Sequence, residues 1–346
     1  MKVRLYLLAG LGLAVCVAIT SRLSADSMII EVNPSKTIDL GSQETNKRVP
    51  VVSSVALSPT GEQMATAGDD HLVRIWDFKE GKVLRSLVGH GDWVRAVAFG
   101  QKGKLLATAG DDRRIRIWDL EKETAKYSIP VSHTVIQTLA FSPNGQLLAA
   151  GGFGNEIVLI RMTDGQIDRK LTAPGPDAIA LAFSPDGSQL AAAGRNGTIR
   201  IWTDKQHTGD LVGHKRRVRA LAYSPNGKQL ASAGDEREIW IWDMASAKPV
   251  AKLPKQTAKP LVLRFCTGDY LASGGSDNMI RIWNLREGCE VFALKGHTGS
   301  VTTLVWNPET QTLVSGSFDT TIRVWNLNLD AIDQVSQQDS KKKIGK

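Results

Sequence analysis

The stretch KLLATAGDDRRIRIWD, at residues 104–119, is repeated with variations along this chain of 346 residues. It contains an apolar segment, a tight acidic turn and a second apolar segment that ends in Trp-Asp, which predicts two strands joined by a turn. The residue that ends the second strand recurs every 40 to 42 positions. The seven recurring positions are Trp76, Trp118, Ile160, Trp202, Trp242, Trp283 and Trp325.

A period of roughly 40–45 residues with four short strands per unit is typical of a propeller blade, because a single small sheet cannot bury both of its faces. Neighbouring blades cover these faces, and closing the ring leaves only short edges. Seven units fill residues 47–328. We therefore predict one all-β domain, a seven-bladed β-propeller with four-stranded antiparallel blades.

The seventh unit lacks an outer strand, because the residues after Trp325-Asn326 show no strand pattern. The segment 26–46 contains one strand-like piece, residues 37–40, and we predict that it supplies the missing strand and closes the ring. Residues 329–346 are rich in Gln, Ser and Lys, and we predict that this basic tail is disordered.

Residues 1–25 begin with two basic residues, continue with an apolar run and end on a small residue, Ala25. This is the layout of a cleaved secretory signal peptide, which predicts an exported protein, periplasmic or secreted. The alternative is an uncleaved segment that tethers the chain to a membrane, although the apolar run of about 16 residues is shorter than a spanning helix needs. We expect contact with a membrane only in that case.

Two cysteines, Cys266 and Cys289, remain after such a cleavage, and export would permit a disulfide bond. We place them on loops that leave the first and third strands of the sixth blade, about two strand spacings of 4.8 Å apart. This separation favours two free thiols.

The net charge of +8 is concentrated at the two ends of the chain. Seven of the 43 basic residues lie in residues 1–25 and in the tail; without these seven, 36 basic residues stand against the 35 acidic residues of the chain. The predicted blades are electrically balanced, so composition gives no reason to expect nucleic acid as a partner.

Three kinds of side chain recur at fixed distances from the tryptophans. Gly-His precedes several blades, a small hydroxyl residue stands ten positions before the tryptophan, and an acid stands six before it. On these features, residues 48–327 resemble the WD-repeat family, whose repeats run from Gly-His to Trp-Asp; the chain resembles a bacterial exported member.

The resemblance implies a buried hydrogen-bond chain in which acid, histidine, hydroxyl and indole N–H are linked in that order. Each of these groups needs a partner when it is buried, because an unpaired one costs about 1–3 kcal/mol. In the fifth blade the acid is Glu236, and the neighbouring Asp235 is an alternative. The residues predicted to form this network are His90, Thr108, Asp112, Trp118, His214, Ser232, Trp242, His297, Ser315, Asp319 and Trp325.

A hydroxyl, a histidine and an acid together could indicate a catalytic triad. The same set recurs at the period of the repeat, however, which favours a structural role. The sequence also lacks zinc-protease, cysteine–histidine metal and phosphate-loop motifs. We therefore predict no enzymatic activity, no catalytic residue, no metal and no cofactor.

Function is predicted to lie at the positions that differ between blades. By resemblance, the residue before each first strand and the residue before each turn acid surround the face that family members use for partners. Exposed aromatic residues beside arginines have the composition of a binding hot spot. The candidate partner-binding residues are Asp69, Trp93, Asp111, Phe153, Arg195, Arg216, Arg217, Asp235, Lys259 and Phe318.

These observations predict a monomeric scaffold that binds a protein or peptide on one face of a rigid ring. The alternative is an enzyme or small-molecule binder that uses the central channel. Polar groups converging on the channel would support it, whereas the predicted inner strands are mostly Val, Ala, Leu and Phe.

Overall fold

The computed structural model describes residues 30–40, 49–100, 102–131, 134–203, 206–327 and 329. The predicted signal peptide and nearly all of the tail lie outside these residues, as do Ser132 and His133, a variant of the Gly-His pair that precedes other blades. A search of the described part finds no apolar helix of the length that crossing a bilayer requires.

Two short strands come first in the described chain, and the first four blades then follow in sequence order. The two strands are β1 (Ile30–Val32) and β2 (Lys36–Asp39). Blade 1 contains β3 (Val52–Leu57), β4 (Gln63–Gly68), β5 (Val73–Asp77) and β6 (Lys82–Leu87). Blade 2 contains β7 (Val94–Phe99), β8 (Leu105–Gly110), β9 (Arg114–Asp119) and β10 (Thr124–Pro130). Blade 3 contains β11 (Ile136–Phe141), β12 (Leu147–Gly152), β13 (Glu156–Arg161) and β14 (Ile167–Thr172). Blade 4 contains β15 (Ala180–Phe183), β16 (Gln189–Ala193), β17 (Ile199–Thr203) and β18 (Gln206–Leu211).

The remaining strands form the last three blades. Blade 5 contains β19 (Val218–Tyr223), β20 (Gln229–Gly234), β21 (Ile239–Asp243) and β22 (Lys248–Lys252). Blade 6 contains β23 (Pro260–Phe265), β24 (Tyr270–Gly275), β25 (Ile280–Asn284) and β26 (Cys289–Leu294). Blade 7 contains β27 (Val301–Asn307), β28 (Thr312–Ser317) and β29 (Thr321–Asn326). Consecutive strands of each blade pair antiparallel, which confirms the predicted blade architecture.

The blades close into a ring through their first strands. Each first strand contacts the first strand of the next blade, and β27 contacts β3. At this closing interface the hydroxyl of Thr302 donates to the carbonyl of Val52 at 3.0 Å, and the N–H of Val55 donates to the hydroxyl of Thr303 at 3.2 Å. The first strands are therefore the inner strands, which surround a central channel.

The hydrophobic core is divided among the interfaces between blades. Seven clusters are present in the described residues, and each combines side chains of two neighbouring blades. The cluster between blades 4 and 5, for example, packs Ile199 and Ile201 against Val218 and Trp242. Because both faces of each sheet are covered, the middle strands are buried on both sides.

The ring is closed by the N-terminal segment, as predicted. Strand β2 pairs antiparallel with β29 and completes blade 7, with Ile38 opposite Ile322. Ile38 and Leu40 are each 5% exposed and belong to the cluster between blades 7 and 1. The strand begins and ends one residue earlier than the predicted piece.

The sequence analysis missed the other N-terminal strand. Strand β1 pairs parallel with β26, so blade 6 has five strands. Three residues are too few for a reliable strand pattern, and the open edge of β26 provides the hydrogen-bonding groups that hold β1 in place. The segment 30–39 thus joins the outer edges of two neighbouring blades.

Both remaining cysteines are free, as the predicted separation implied. Cys266 follows β23 and is buried, which raises the pKa of its thiol to about 12. The predicted position of Cys289 was wrong: it is the first residue of β26 rather than part of a loop. The turn before this strand is short enough that pairing with β25 already begins at Cys289.

Candidate partner-binding face

The two sets of variable positions meet at the same end of the blades. In blade 2 the N–H of Asp111 donates to the carbonyl of Trp93 at 2.9 Å, and in blade 3 the N–H of Phe153 donates to the carbonyl of Val135 at 3.0 Å. The corresponding pairs in the last three blades are Asp235 with Arg217, Ser276 with Lys259, and Phe318 with Ser300. We call the surface made by these residues the loop face.

In four blades a glycine stands directly before the residue of the turn at this end of the inner strand. Gly110 stands directly before Asp111, and a Cβ atom built on it would collide with the carbonyl oxygen of Trp93. Gly68, Gly152 and Gly234 occupy the same position in their blades and make the same approach. In these four blades a side chain at this position would collide with the start of the inner strand. Blade 7 has Ser317 there and still forms the bond between Phe318 and Ser300.

In blade 2 the loop face carries an aromatic side chain held by an arginine. The guanidinium carbon of Arg95 lies 3.5 Å from the ring centroid of Trp93, and the same guanidinium donates two hydrogen bonds to Asp111, at 2.8 and 2.7 Å. The indole N–H of Trp93 is buried, and no acceptor for it lies in the described residues. The exposed part of this half-buried side chain is therefore hydrocarbon.

In blades 4 and 5 the loop face carries an ion-pair cluster. Asp177, whose side chain is 2% exposed, lies 3.4 Å from Arg217 and 3.7 Å from Arg195. Asp235 lies 2.6 Å from Arg219 and 3.5 Å from Lys259. Burial raises the pKa of Asp235, but the hydrogen bond and charge of Arg219, together with the charge of Lys259, outweigh burial and lower it. These predicted residues are thus engaged within the chain.

Other predicted residues point into solvent. Phe153 is 49% exposed and Phe318 is 44% exposed. Arg216 is also exposed. Asp69 accepts a hydrogen bond from the N–H of Val51 at 2.9 Å and so fixes the start of blade 1. The two phenylalanines lie on opposite sides of the ring, in blades 3 and 7.

The channel is more polar than we predicted. A cavity of about 270 Å³ is lined by residues of all seven inner strands, and its polar residues include Ser53, Arg95, Gln137, Arg219 and Thr302. Side chains alternate along a strand, so the apolar residues of the inner strands enter the interfaces between blades and the polar ones face the channel. Both arginines are paired with the aspartates of the loop face.

The structure contains the complete hydrogen-bond chain in blades 2 and 7. In blade 7 the indole N–H of Trp325 donates to Ser315 at 2.9 Å, Ser315 bonds to Nε2 of His297 at 2.7 Å, and Nδ1 of His297 bonds to Asp319 at 2.9 Å. In blade 2 the corresponding distances are 2.8, 2.7 and 2.8 Å, through Trp118, Thr108, His90 and Asp112.

These bonds set the charge of the two aspartates. Burial raises the pKa of Asp112 and Asp319, but the hydrogen bond from the histidine, together with one from Arg116 or Thr321, outweighs burial and holds each pKa well below its usual range. The carboxylates stay ionised, and they fix the loop before the inner strand.

In blade 5 the alternative that Asp235 supplies the acid is wrong. Glu236 bonds to His214 at 2.9 Å, His214 bonds to Ser232 at 2.8 Å, and Trp242 donates to Ser232 at 2.8 Å. The extra methylene of the glutamate is accommodated, and Asp235 pairs with Arg219 instead. Burial lowers the pKa of His214, against the opposing effect of Glu236.

Sequence reasoning missed that Arg95 and Arg219 bind aspartates of the face. The arginines stand at the second position of their inner strands, 16 residues before the aspartates that they bind. The sequence feature that could have indicated these contacts is a basic residue at the second position of a strand whose other residues are mostly apolar. Within the described residues, no cluster of three or more His, Cys, Asp or Glu side chains is arranged to hold a metal ion.

The fold and these hydrogen-bonded repeats define a class. Family models match the chain in two parts: a model described as "IFT122 first beta-propeller" matches residues 51–210, and a model described as "WD domain, G-beta repeat" matches residues 205–243, 264–284 and 288–326. The protein is a seven-bladed β-propeller built from WD40 repeats.

Individual relatives match over short segments. Coronin-7 of Bos taurus is 40% identical over 67 residues, which are 19% of this chain and 7% of coronin-7. Polyadenylation factor subunit 2 of Cryptococcus neoformans is 54% identical over 37 residues, 11% of this chain and 5% of the relative. A probable serine/threonine-protein kinase, PkwA of Thermomonospora curvata, is 46% identical over 43 residues, 12% of this chain and 6% of the relative. Each match spans less than a tenth of the relative.

Proposed function

We propose that this propeller is a non-enzymatic scaffold that binds a protein or peptide partner on its loop face. The observation that carries the proposal is the set of aromatic side chains Trp93, Phe153 and Phe318, which expose apolar surface on the loop face. Aromatic anchors surrounded by ion pairs are the typical composition of a binding hot spot. WD40 repeats in relatives as different as coronin-7 and a polyadenylation factor subunit support a general role in protein interaction.

The rigidity of the face supports the same proposal. Arg95, Arg217 and Arg219 form ion pairs with Asp111, Asp177 and Asp235, and the turns of the face are bonded to the inner strands. Little conformational entropy is then lost when a partner binds, because the side chains are already ordered. Trp93 is held in place by Arg95, so its apolar edge is presented in one orientation.

Alanine at the three aromatic positions should abolish partner capture. We expect the Trp93→Ala, Phe153→Ala, Phe318→Ala variant to lose at least about tenfold in partner affinity, because buried aromatic anchors contribute about 2 kcal/mol or more each. Partners captured by the full chain would be identified by mass spectrometry, and their affinities for the variants measured by surface plasmon resonance.

The matched control removes equally exposed apolar side chains that lie on outer strands. It carries Leu84→Ala, Ile167→Ala and Val250→Ala, at side chains that are 51%, 40% and 57% exposed. We expect this control to retain the partner. Equal loss in both variants would contradict the loop face as the binding surface, and turnover or capture of a small molecule alone would move the site to the channel.

We further propose that residues 1–25 direct export and are removed, which places the propeller in the periplasm or outside the cell. The basic start, apolar run and small residue at the predicted cleavage point support this. Cell fractionation with N-terminal sequencing should find a chain that begins at Asp26. Recovery of the intact N-terminus in the membrane fraction would instead support the tethered alternative.

A further inference from the structure

Blade 5 carries a concave site that borders the loop face at Asp235 and extends to the outer strand of the blade. A cavity of about 450 Å³ lies between the loop before β19, the turn between β20 and β21, and the end of the outer strand β22. We call it the blade 5 pocket. Five cationic side chains line it: Lys215, Arg216, Arg237, Lys252 and Lys255.

The pocket occurs where blade 5 departs from the repeat. Five of the other blades have an arginine two positions before their recurring tryptophan. Arg74, Arg116 and Arg281 bind the turn acid of their own blades at 2.5, 2.7 and 2.6 Å. Blade 5 has Trp240 instead, so no arginine of this strand occupies the space in front of its turn acid.

Trp240 forms a flat, buried wall of the pocket. Its ring centroid lies 4.6 Å from that of His214 and 5.4 Å from that of Trp242, and the residue is 7% exposed. The ammonium group of Lys252 lies 3.6 Å from the centroid of the Trp240 ring. A cation–π contact of this kind holds the lysine over the wall without neutralising its charge.

The carboxylates of the pocket are already engaged by other groups. Asp235 is paired with Arg219 and Lys259, Glu236 accepts from His214 and from the N–H of Lys215, and Glu238 accepts from the indole N–H of Trp240 at 3.3 Å. Within the part of the chain that the structure describes, no carboxylate lies within 4.0 Å of the charged groups of the five cationic side chains. The pocket therefore gathers unpaired positive charge, with five cations against three carboxylates among its lining residues.

We infer that the blade 5 pocket binds an acidic peptide segment, through carboxylate or phosphate groups that contact Lys252, Lys255 and Arg216. Clustered cations without partners attract anionic groups, and lysine and arginine bind carboxylate and phosphate through charge-assisted hydrogen bonds. The volume of the blade 5 pocket is large enough for a few side chains of a peptide but not for a long peptide strand. The carboxylates in its wall also interrupt the positive field that a nucleic-acid backbone would require.

The inference rests on the proposed scaffold function, since the acidic segment would belong to a protein partner. It adds the chemistry of that partner and a second contact point, which extends from the edge of the loop face to the outer strand of blade 5. A direct peptide assay separates the two claims, because it does not depend on Trp93, Phe153 or Phe318.

The test measures binding of fluorescein-labelled hexaglutamate to the full chain by fluorescence anisotropy at two salt concentrations. A peptide with phosphoserine in place of three glutamates and a hexaglutamine peptide are measured in parallel. The variant Lys252→Gln, Lys255→Gln removes two pocket charges, and the control Lys228→Gln, Lys248→Gln removes two exposed charges of the same blade outside the pocket.

We expect the pocket variant to bind hexaglutamate about tenfold more weakly than the control, with no binding of hexaglutamine. Tighter binding of the phosphoserine peptide would identify phosphate as the anionic group, and equal or weaker binding would identify carboxylate. An equal loss in both variants would overturn the inference, because net charge alone would then explain it. Tighter binding of a single-stranded oligonucleotide, lost in the pocket variant, would also overturn it in favour of nucleic acid.

Discussion

The Ile38→Asp variant should lose at least about 3 kcal/mol of unfolding free energy and should aggregate on mild heating. Ile38 is 5% exposed in the cluster that joins blades 7 and 1. Removing a buried aliphatic side chain costs about 2–5 kcal/mol, and a carboxylate placed there would also lose its hydration. Detachment of β2 would then expose the edge of β29, which is a template for pairing between chains.

Thr37→Asp is the matched control for this variant. Thr37 lies on the same strand and is exposed, so the same carboxylate remains in water. Urea unfolding followed by tryptophan fluorescence, together with light scattering, should show a large change for Ile38→Asp and a small one for Thr37→Asp. Equal midpoints for Ile38→Asp and the parent chain would show that ring closure by β2 contributes no stability.

The second large effect is expected for Ser315→Ala, which should destabilise the propeller by about 2–5 kcal/mol. The hydroxyl of Ser315 accepts from the indole N–H of Trp325 and bonds to Nε2 of His297. Its removal leaves two buried polar groups unpaired, at about 1–3 kcal/mol each. Ser315 is 0% exposed, so water cannot replace the hydroxyl without a rearrangement.

Blade 6 provides the comparison. Ser273 is 1% exposed and accepts from the indole N–H of Trp283 at 2.9 Å, but no histidine completes the chain in this blade. Ser273→Ala makes the same small cavity and leaves one indole N–H unpaired, so we expect about half the effect, measured by calorimetry on both variants. Equal losses for the two variants would mean that His297 does not depend on the hydroxyl.

Most of the fold followed from the sequence because it depends on local, repeated features. Residues 104–119 predicted two strands and a turn, and the structure has β8 at Leu105–Gly110 and β9 at Arg114–Asp119. The missing outer strand of blade 7 predicted a closing strand, because an open sheet edge in a ring requires a partner. Strand β2 is that partner.

Only part of the candidate partner-binding face could be predicted from the sequence. The repeat placed Trp93, Asp111 and Asp235 at the ends of blades, since their positions relative to the repeat are fixed. Their partners, Arg95 and Arg219, were not predicted. The contacts of these arginines with the aspartates depend on which face of the inner strand each side chain occupies, and the folded sheet decides this. The same limit explains why the polar lining of the channel was missed.

The sequence by itself determined the number of blades, the position of each turn and the members of the buried hydrogen-bond chains, because all of these depend on a period within one repeat. The tertiary structure decided which charges are neutralised, where β1 lies and how the cations of blade 5 form a pocket. The physical reason is that these features arise from contacts between side chains on different strands and loops, and these contacts depend on how the strands and blades are oriented in the folded ring.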